Sequence, residues 1–409
     1  MKTLLIIGHT FPEPATTAAG TRMMQIISLF LEQGYKITFA CTALVSEKSE
    51  ALSNYGINSI AIKLNDESFN EFIKDLKPSI VLFDRYITEE QFGWRVVESC
   101  PDALRILDTE DLHFLRKARE EAVKKGIDVK DANLFSEVAK REIASIYRCD
   151  LSLIISEIEM DLLENTFNIS KRILFYLPFV INSLSKSEME SLPTFEDRNH
   201  FIAIGNLMHS PNVDSVLYLK NEIWPEIRKL LPKTELHVYG AYAPQRIQEL
   251  HDSKNRFLIK GWAKEVSELM KNAKVCLAPL RFGAGLKGKL LDAMIYGTPS
   301  VTTSIGAEGM YSSEFKAGRV NDDVKDIVSN AVSLYTHKDE WLQEQKNGFV
   351  VLENRFQKDL FSEDFKNTIH QLQEHKIKHR ENNFIGQIFQ HHSLKSTKYL
   401  SKWIEEKNK

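Results

Sequence analysis

The chain has 409 residues, 43% hydrophobic and 27% charged, the balance of a soluble globular protein too long for a single core of ordinary size. Its formal net charge of −3 excludes a general electrostatic pull toward nucleic acid or an anionic membrane. The four cysteines, Cys41, Cys100, Cys149 and Cys276, contain no CxxC pair, which argues against a zinc site or a disulfide framework and for a reducing compartment.

The first element is the apolar run TLLIIG, too short for a signal-peptide core and suited to a buried strand. TRMMQIISLFLEQGY follows with apolar positions at helical spacing and Gly34 at its end, and KITFACT supplies a second strand. SIVLFD, ALRILD and LSLIIS continue the series, each flanked by helical patterns. No stretch approaches 18 continuous apolar residues, so no membrane span is predicted and a cytoplasmic protein is expected. The alternation lapses in the Ser-, Pro- and charge-rich stretch 182–199, where the linker is placed. A second series then runs through HFIAIGN, TELHVYG, RFLIKGW, KVCLAPL and PSVTTS. Alternation of this kind predicts parallel sheets covered on both faces. The expected organisation is a doubly wound α/β domain over residues 1–182, a linker over 183–199, a second such domain over 200–374, and a tail over 375–409. The tail holds eight Lys or Arg against three Glu, with the apolar pairs Phe384/Ile385, Ile388/Phe389 and Trp403/Ile404. It reads as amphipathic helix, for packing on the first domain, for a partner subunit, or for an interfacial membrane contact.

Residues 283–289, GAGLKGK, spell G-x-x-x-x-G-K between a predicted strand and a predicted helix. A nucleoside triphosphate loop needs Ser or Thr next, to hold magnesium, and this chain has Leu290. What survives is the underlying physics. Gly283, Gly285 and Gly288 let backbone approach an anion, a helix start offers free N–H groups, and Lys287 and Lys289 add charge. After a strand of an open α/β sheet, such a loop is a diphosphate site.

The longer stretch PLRFGAGLKGKLLDAMIYGTPSVTTSIGAEGM resembles the donor-site segment of GT-B glycosyltransferases, in particular the retaining family 4 type. Asp292, Gly297-Thr298-Pro299, Val301 and Gly306-Ala307-Glu308-Gly309 match that family's pattern in order. FIAIGNLMHSPNVDSVLYL and GWAKEVSELMKNAKVCLAP are similar to its donor-domain opening and nucleobase-side loop, and HTFPEPATTAAGTRM to its first glycine loop. The resemblance implies two Rossmann-like domains facing across a cleft. It also implies donor contacts at Gly205, Asn206, Gly261, Trp262, Arg281, Gly283, Gly285, Leu286, Lys287, Gly288, Lys289, Asp292, Gly306 and Glu308, with Asp292 on the ribose. On the acceptor side it points to Gly20, Arg22 and Asp111, and it gives catalytic roles to Glu110 or His113 with Lys287 and Lys289. Two departures stand out. Ala284 replaces the first acid of the family's E-x7-E pair, and Asn206 and Asn212 stand near its usual Arg and Lys. Lys287 and Lys289 are therefore expected to carry the cationic clamp.

The expected activity is transfer of a sugar from a nucleoside diphosphate sugar to an acceptor, a glycan, a lipid-linked molecule or a small molecule. No cofactor and no required metal are expected, because lysines and helix N–H groups can stabilise the leaving diphosphate. A sugar-nucleotide epimerase of the same fold and a non-catalytic sugar-nucleotide-binding subunit remain open alternatives.

Overall fold

The computed structural model describes residues 2–408, with the side chains of residues 392–394 outside that description. The chain forms two parallel sheets. The first comprises β1 (Thr3–Gly8), β2 (Lys36–Cys41), β3 (Asn58–Ala61), β4 (Ile80–Asp84), β5 (Leu104–Asp108), β6 (Leu151–Ile154) and β7 (Leu174–Tyr176), in the order β3-β2-β1-β4-β5-β6-β7. The second comprises β8 (Asn199–Ile204), β9 (Leu236–Tyr239), β10 (Phe257–Gly261), β11 (Ala273–Ala278), β12 (Ser300–Thr302) and β13 (Arg319–Val320), in the order β10-β9-β8-β11-β12-β13. This is the GT-B architecture, two doubly wound domains with a helical C-terminal tail. The short strands β3 and β13 lack an apolar run long enough to announce them in the sequence.

The buried strands read as continuous apolar runs because both faces of each sheet are covered. In β1, Leu4 and Ile6 join Phe30 and Phe39 on one face, while Leu5 and Ile7 join Phe83 and Leu107 on the other. Each such side chain contributes about 1.5–3 kcal/mol on leaving water. In β8, Phe201 and Ala203 face Trp224 and Val238, and Ile202 faces the opposite cluster with Met270 and Cys276.

The chain returns to the first domain earlier than the sequence suggests. After the helix Lys338–Arg355, Ile181 donates to the Phe356 carbonyl at 2.8 Å, and Lys358 donates back to Ile181 at 2.8 Å. The helix Ser362–Glu374 then buries Phe365, Ile369 and Leu372 in the first domain's core, with Phe365 5.3 Å from the Phe30 ring. An apolar stripe specifies that a helix is buried, not which of two similar sheets buries it. Beyond it, the helix Phe384–Lys407 lies on the helices Arg85–Ser99 and Glu137–Arg148. No helix among the described residues is long and apolar enough to cross a membrane.

In a doubly wound sheet, ligands bind beyond the strand ends where the winding reverses. The reversal lies between β1 and β4 in the first sheet and between β8 and β11 in the second. The loops after these four strands face one another.

Candidate functional site

A cleft of about 610 Å³ lies between the domains, lined by His9 and Thr10 after β1, Arg85 after β4, Gly205 and Asn206 after β8, and residues 283–289 after β11. Several helices open onto it with their N-termini: Ala18–Glu32, His113–Lys124, Ser210–Tyr218 and Gly288–Ile295. Their unsatisfied N–H groups and dipoles favour an anion there.

The glycine loop is shaped for close approach. Gly283 and Gly285 have φ of 157° and 61°, and a Cβ on Gly285 would stand 2.8 Å from Asp111 Cβ of the other domain. A Cβ on Gly288 would stand 2.8 Å from Ala18 Cβ, so loop and first helix touch across the cleft. Lys287 is buried, and its ammonium donates to the carbonyls of Gly285 at 2.6 Å and Ala284 at 3.2 Å. Burial lowers its pKa, although Glu308 opposes the shift. Lys289 donates to Asn212 Oδ1 at 2.7 Å, and burial brings it down to about 8. Asp292 follows one turn later, facing the cleft, its carboxyl pushed up to about 7 by burial. Two buried lysines beside helix N–H groups, Lys289 with no carboxylate partner among the described residues, are an arrangement that favours an anion.

Leu286 lines the cleft beside them, and Gly205 fits closely under the Asn212 amide. Asn206 holds its own loop, accepting from Met208 N through Oδ1 at 2.9 Å and from Asn212 Nδ2 through its carbonyl at 2.9 Å. Gly261, at φ 76°, turns the chain so that Trp262 reaches the cleft, where its indole N–H donates to the Ala15 carbonyl at 3.4 Å. Lys48 of the first domain stands over the Trp262 ring at 5.2 Å and the Tyr242 ring at 4.7 Å.

The opposite wall carries acids. Glu110 has φ of 65° and Arg85 has φ of 70°, two left-handed side chains at the ends of adjacent strands. Such conformations cost of order 1–3 kcal/mol each and persist where the surroundings impose them. Glu110 Oε1 is buried without a hydrogen-bond partner among the described residues. Burial raises its carboxyl to about 8 against the pull of Arg85. Burial acts on Asp111 in the same direction, but Arg116 at 2.9 Å and His113 outweigh it and hold Asp111 at about 2. His113 packs edge-on to Tyr86 at 5.5 Å, and burial depresses it to about 3 despite Asp111, so it is neutral.

Several residues expected in the site lie elsewhere. Arg22 is buried in the first domain, bound through Nε to Asp108 at 2.9 Å and through Nη1 to the Leu177 carbonyl at 2.6 Å. Gly20 packs on the backbone of Glu13, which a Cβ would meet at 2.4 Å. Both hold the start of the first helix and do not line the cleft. Arg281 points away, paired with Asp214 at 2.5 Å over the Tyr218 ring. Gly306 packs against Thr302 in the short helix Ser304–Ala307. Glu308 is bridged by both Arg119 nitrogens at 2.6 and 2.7 Å, across the two domains, and Arg119 also donates to the Gly283 carbonyl at 2.9 Å.

The reading from sequence missed Arg85, Arg116, Arg119, His209 and Glu159. Arg116 bonds His209 at 2.9 Å across the cleft. Glu159 accepts from Leu112 N at 3.0 Å and Gly285 N at 2.8 Å, so a buried first-domain carboxyl holds the glycine loop. Burial and the neighbouring Asp111 raise it to about 7. These residues carry no local motif; the one signal is the polar residue directly following an apolar strand, as Arg85 follows SIVLFD.

Solved structures share this arrangement at low identity. Sucrose-phosphate synthase from Thermosynechococcus elongatus superimposes with TM-score 0.67 at 13% identity, covering 91% of this chain and 99% of that one. A point mutant of S. aureus TarM in complex with Fondaparinux, alpha-GlcNAc-glycerol and UDP gives 0.68 at 10%, covering 90% and 99%. Anabaena HepE in complex with UDP and glucose gives 0.65 at 11%, covering 90% and 100%. No curated protein sequence matches the chain. Residues 198–337 match the family model of glycosyl transferases group 1, and the chain as a whole has the fold of GT-B glycosyltransferases.

Proposed function

We propose that the protein transfers a sugar from a nucleoside diphosphate sugar to an acceptor hydroxyl, with retention at the anomeric carbon and without a required metal. The observation that carries this reading is the glycine loop with Lys287 and Lys289 at a helix start, facing acids of the other domain across one cleft. The diphosphate takes the loop, the N–H groups of the Gly288 helix and the two ammonium groups. Asp292 takes the ribose hydroxyls from the first turn of that helix, and the base lies toward Trp262. Uridine is the first base to try, because the TarM and HepE structures hold UDP.

In the reaction the bond from C1 to the diphosphate oxygen breaks, the acceptor oxygen bonds C1 on the face the diphosphate leaves, as retention requires, and the acceptor proton is taken up. The loop stabilises the charge that gathers on the leaving diphosphate, and closure places the acceptor and excludes water. Glu110 is the side chain suited to take the acceptor proton: raised to about 8, its ionised form is a stronger base than an ordinary carboxylate, and that form grows as pH rises toward 8. His113, neutral at the same pH, hydrogen-bonds a sugar hydroxyl rather than accepting the proton.

Calorimetry with UDP, GDP and ADP, followed by turnover of the matching nucleotide sugar with and without acceptor mixtures, tests the reading. One nucleoside diphosphate is expected to bind, and product is expected only with acceptor. Conversion of the donor without acceptor would identify an epimerase instead. Binding with no turnover under any condition would leave a sugar-nucleotide-binding subunit.

A further inference from the structure

We propose that the outer face of the C-terminal helix docks the protein on the surface of an anionic lipid bilayer. This inference is independent of the sugar-transfer reading.

The helix Phe384–Lys407 is pinned along one side. Gly386 fits against the Tyr147 carbonyl, Gln390 donates to the Arg148 carbonyl at 2.8 Å, and Ser401 donates to Asn65 at 2.8 Å. Arg95 bridges Glu405 on the same side. At 3.6 residues per turn, Phe384, Ile385, Ile388, Tyr399 and Trp403 fall within an arc of about 100° on the other side. They are unburied there: Phe384 is 67% exposed, Tyr399 66% and Trp403 60%. The exposed apolar residues form two groups on this face, 384–388 and 399–403, about 29 Å from end to end at 1.5 Å per residue, with Lys395 between them. Two exposed apolar groups on one face of a single helix mark an interaction face.

Charge decides between occupants. Lys395 and Lys402 project on the edge of this face and form no ion pair among the described residues, and Lys407 stands 5.2 Å from the Trp403 ring. Glu406 opposes them on the same arc. Lys398, on the pinned side, is already used by Glu98 at 2.6 Å. A second copy of this chain would bring its own lysines to the contact, and the two rows would repel across a two-fold axis. An anionic bilayer neutralises them, while Trp403 and Tyr399 suit the headgroup layer, where one end of the ring is wet and the other dry. The chain as a whole is acidic at −3, so the attraction is local to this helix and is not a property of the protein's average charge.

The test is sedimentation of the full-length protein with vesicles of phosphatidylcholine alone and of phosphatidylcholine with phosphatidylglycerol. Binding is expected to the anionic vesicles and to fall with added salt. Tyr399→Ser with Trp403→Ser, and separately Lys395→Glu with Lys402→Glu, are each expected to weaken it about tenfold or more. An unchanged thermal unfolding midpoint and circular dichroism spectrum in both variants serve as the check that they fold. Absence of vesicle binding in the wild type, or binding unchanged in the variants, overturns the proposal. So does a dimer seen by light scattering that the Tyr399/Trp403 variant abolishes while vesicles go unbound, which would give the face to a second copy.

Discussion

The two walls of the cleft solve opposite electrostatic problems. On the second domain, Lys287 and Lys289 are buried with pKa values pulled down; Glu308, Glu159 and Asp111 partly offset the shift at Lys287, while Lys289 has no carboxylate partner among the described residues. On the first domain, the acids are mostly paired from within: Asp108 by Arg22, Asp111 by Arg116, and one oxygen of Asp84 by the His9 N–H at 2.9 Å. Of the first-domain acids that line the cleft, Glu110 is the one with an unpartnered oxygen among the described residues. One wall is built to receive charge from a ligand, the other to hold its own charge and offer a single titratable group. An asymmetry of that kind suits a donor that brings a diphosphate to an acceptor that brings a hydroxyl.

The sharpest way to break this comparison is at Arg22, which is structural if the first wall is internally satisfied. Arg22→Ala leaves Asp108 buried without its partner, and the expected loss of stability is about 3–5 kcal/mol. Urea unfolding measures it. A variant of wild-type stability with a damaged acceptor KM would return Arg22 to the acceptor side and undo the contrast.

The second wall is tested next. Lys287→Ala and Lys289→Ala are each expected to weaken nucleoside diphosphate binding by about 1–3 kcal/mol, the scale of a charge-assisted contact. Calorimetry at fixed ionic strength reads this directly, with the wild type and an Arg281→Ala control alongside. Arg281 is engaged by Asp214 outside the cleft, so its removal is expected to leave donor affinity unchanged. Equal losses in all three variants would mean general electrostatics rather than a built site.

The second domain's wall was legible in the sequence because its parts are contiguous. A strand, a glycine loop, two lysines and an acid lie within residues 273–292, and local backbone rules fix their geometry. The first wall is assembled from the ends of β1, β4 and β5 and from three helices, so no stretch of chain displays it. Arg85 and Glu110 became visible only as neighbours in space with unusual backbone. Sequence order placed Arg22 at the start of the correct helix, but not the direction in which its side chain points. The domain boundary failed for a related reason. Phe365, Ile369 and Leu372 announce a buried helix, while the choice between two similar sheets depends on where the chain stands at Phe356.

Acidity separates the walls more finely. Lys289 titrates near 8, and a bound diphosphate favours its charged form, which raises that pKa in the complex. Affinity is therefore full below about pH 8 and falls above it by at most about tenfold per unit for one proton. Asp292 titrates near 7, and ribose hydroxyls favour its carboxylate, which lowers that pKa in the complex. Affinity is then lost as pH falls below about 7. The expected profile is a bell with its maximum between those values. It is best measured with the nucleotide sugar, whose diphosphate diester has no ionisation in the range. Lys289→Arg is expected to flatten the alkaline limb and Asp292→Asn the acid limb, the latter at reduced affinity throughout. A profile that neither variant alters would remove both residues from the donor site.

The smallest effect expected is on closure. Arg119 of the first domain grips Glu308 and the Gly283 carbonyl of the second, and Glu159 holds the Gly285 N–H from the same side. These contacts reach the back of the loop whose front is proposed to receive the diphosphate, so ordering the loop by a ligand also favours the contacts behind it. Hydrogen exchange is therefore expected to slow at amides near Gly20 and His113 when nucleoside diphosphate binds, although the proposed phosphate loop lies on the other domain. Arg119→Ala is expected to weaken that remote protection by about fivefold, roughly 1 kcal/mol of coupling, while leaving exchange within residues 283–292 responsive to ligand. Protection confined to the second domain in the wild type would show that the walls do not act together. It would then favour a protein that binds the sugar nucleotide without transferring its sugar, since a reaction shared between two walls needs both in place at once.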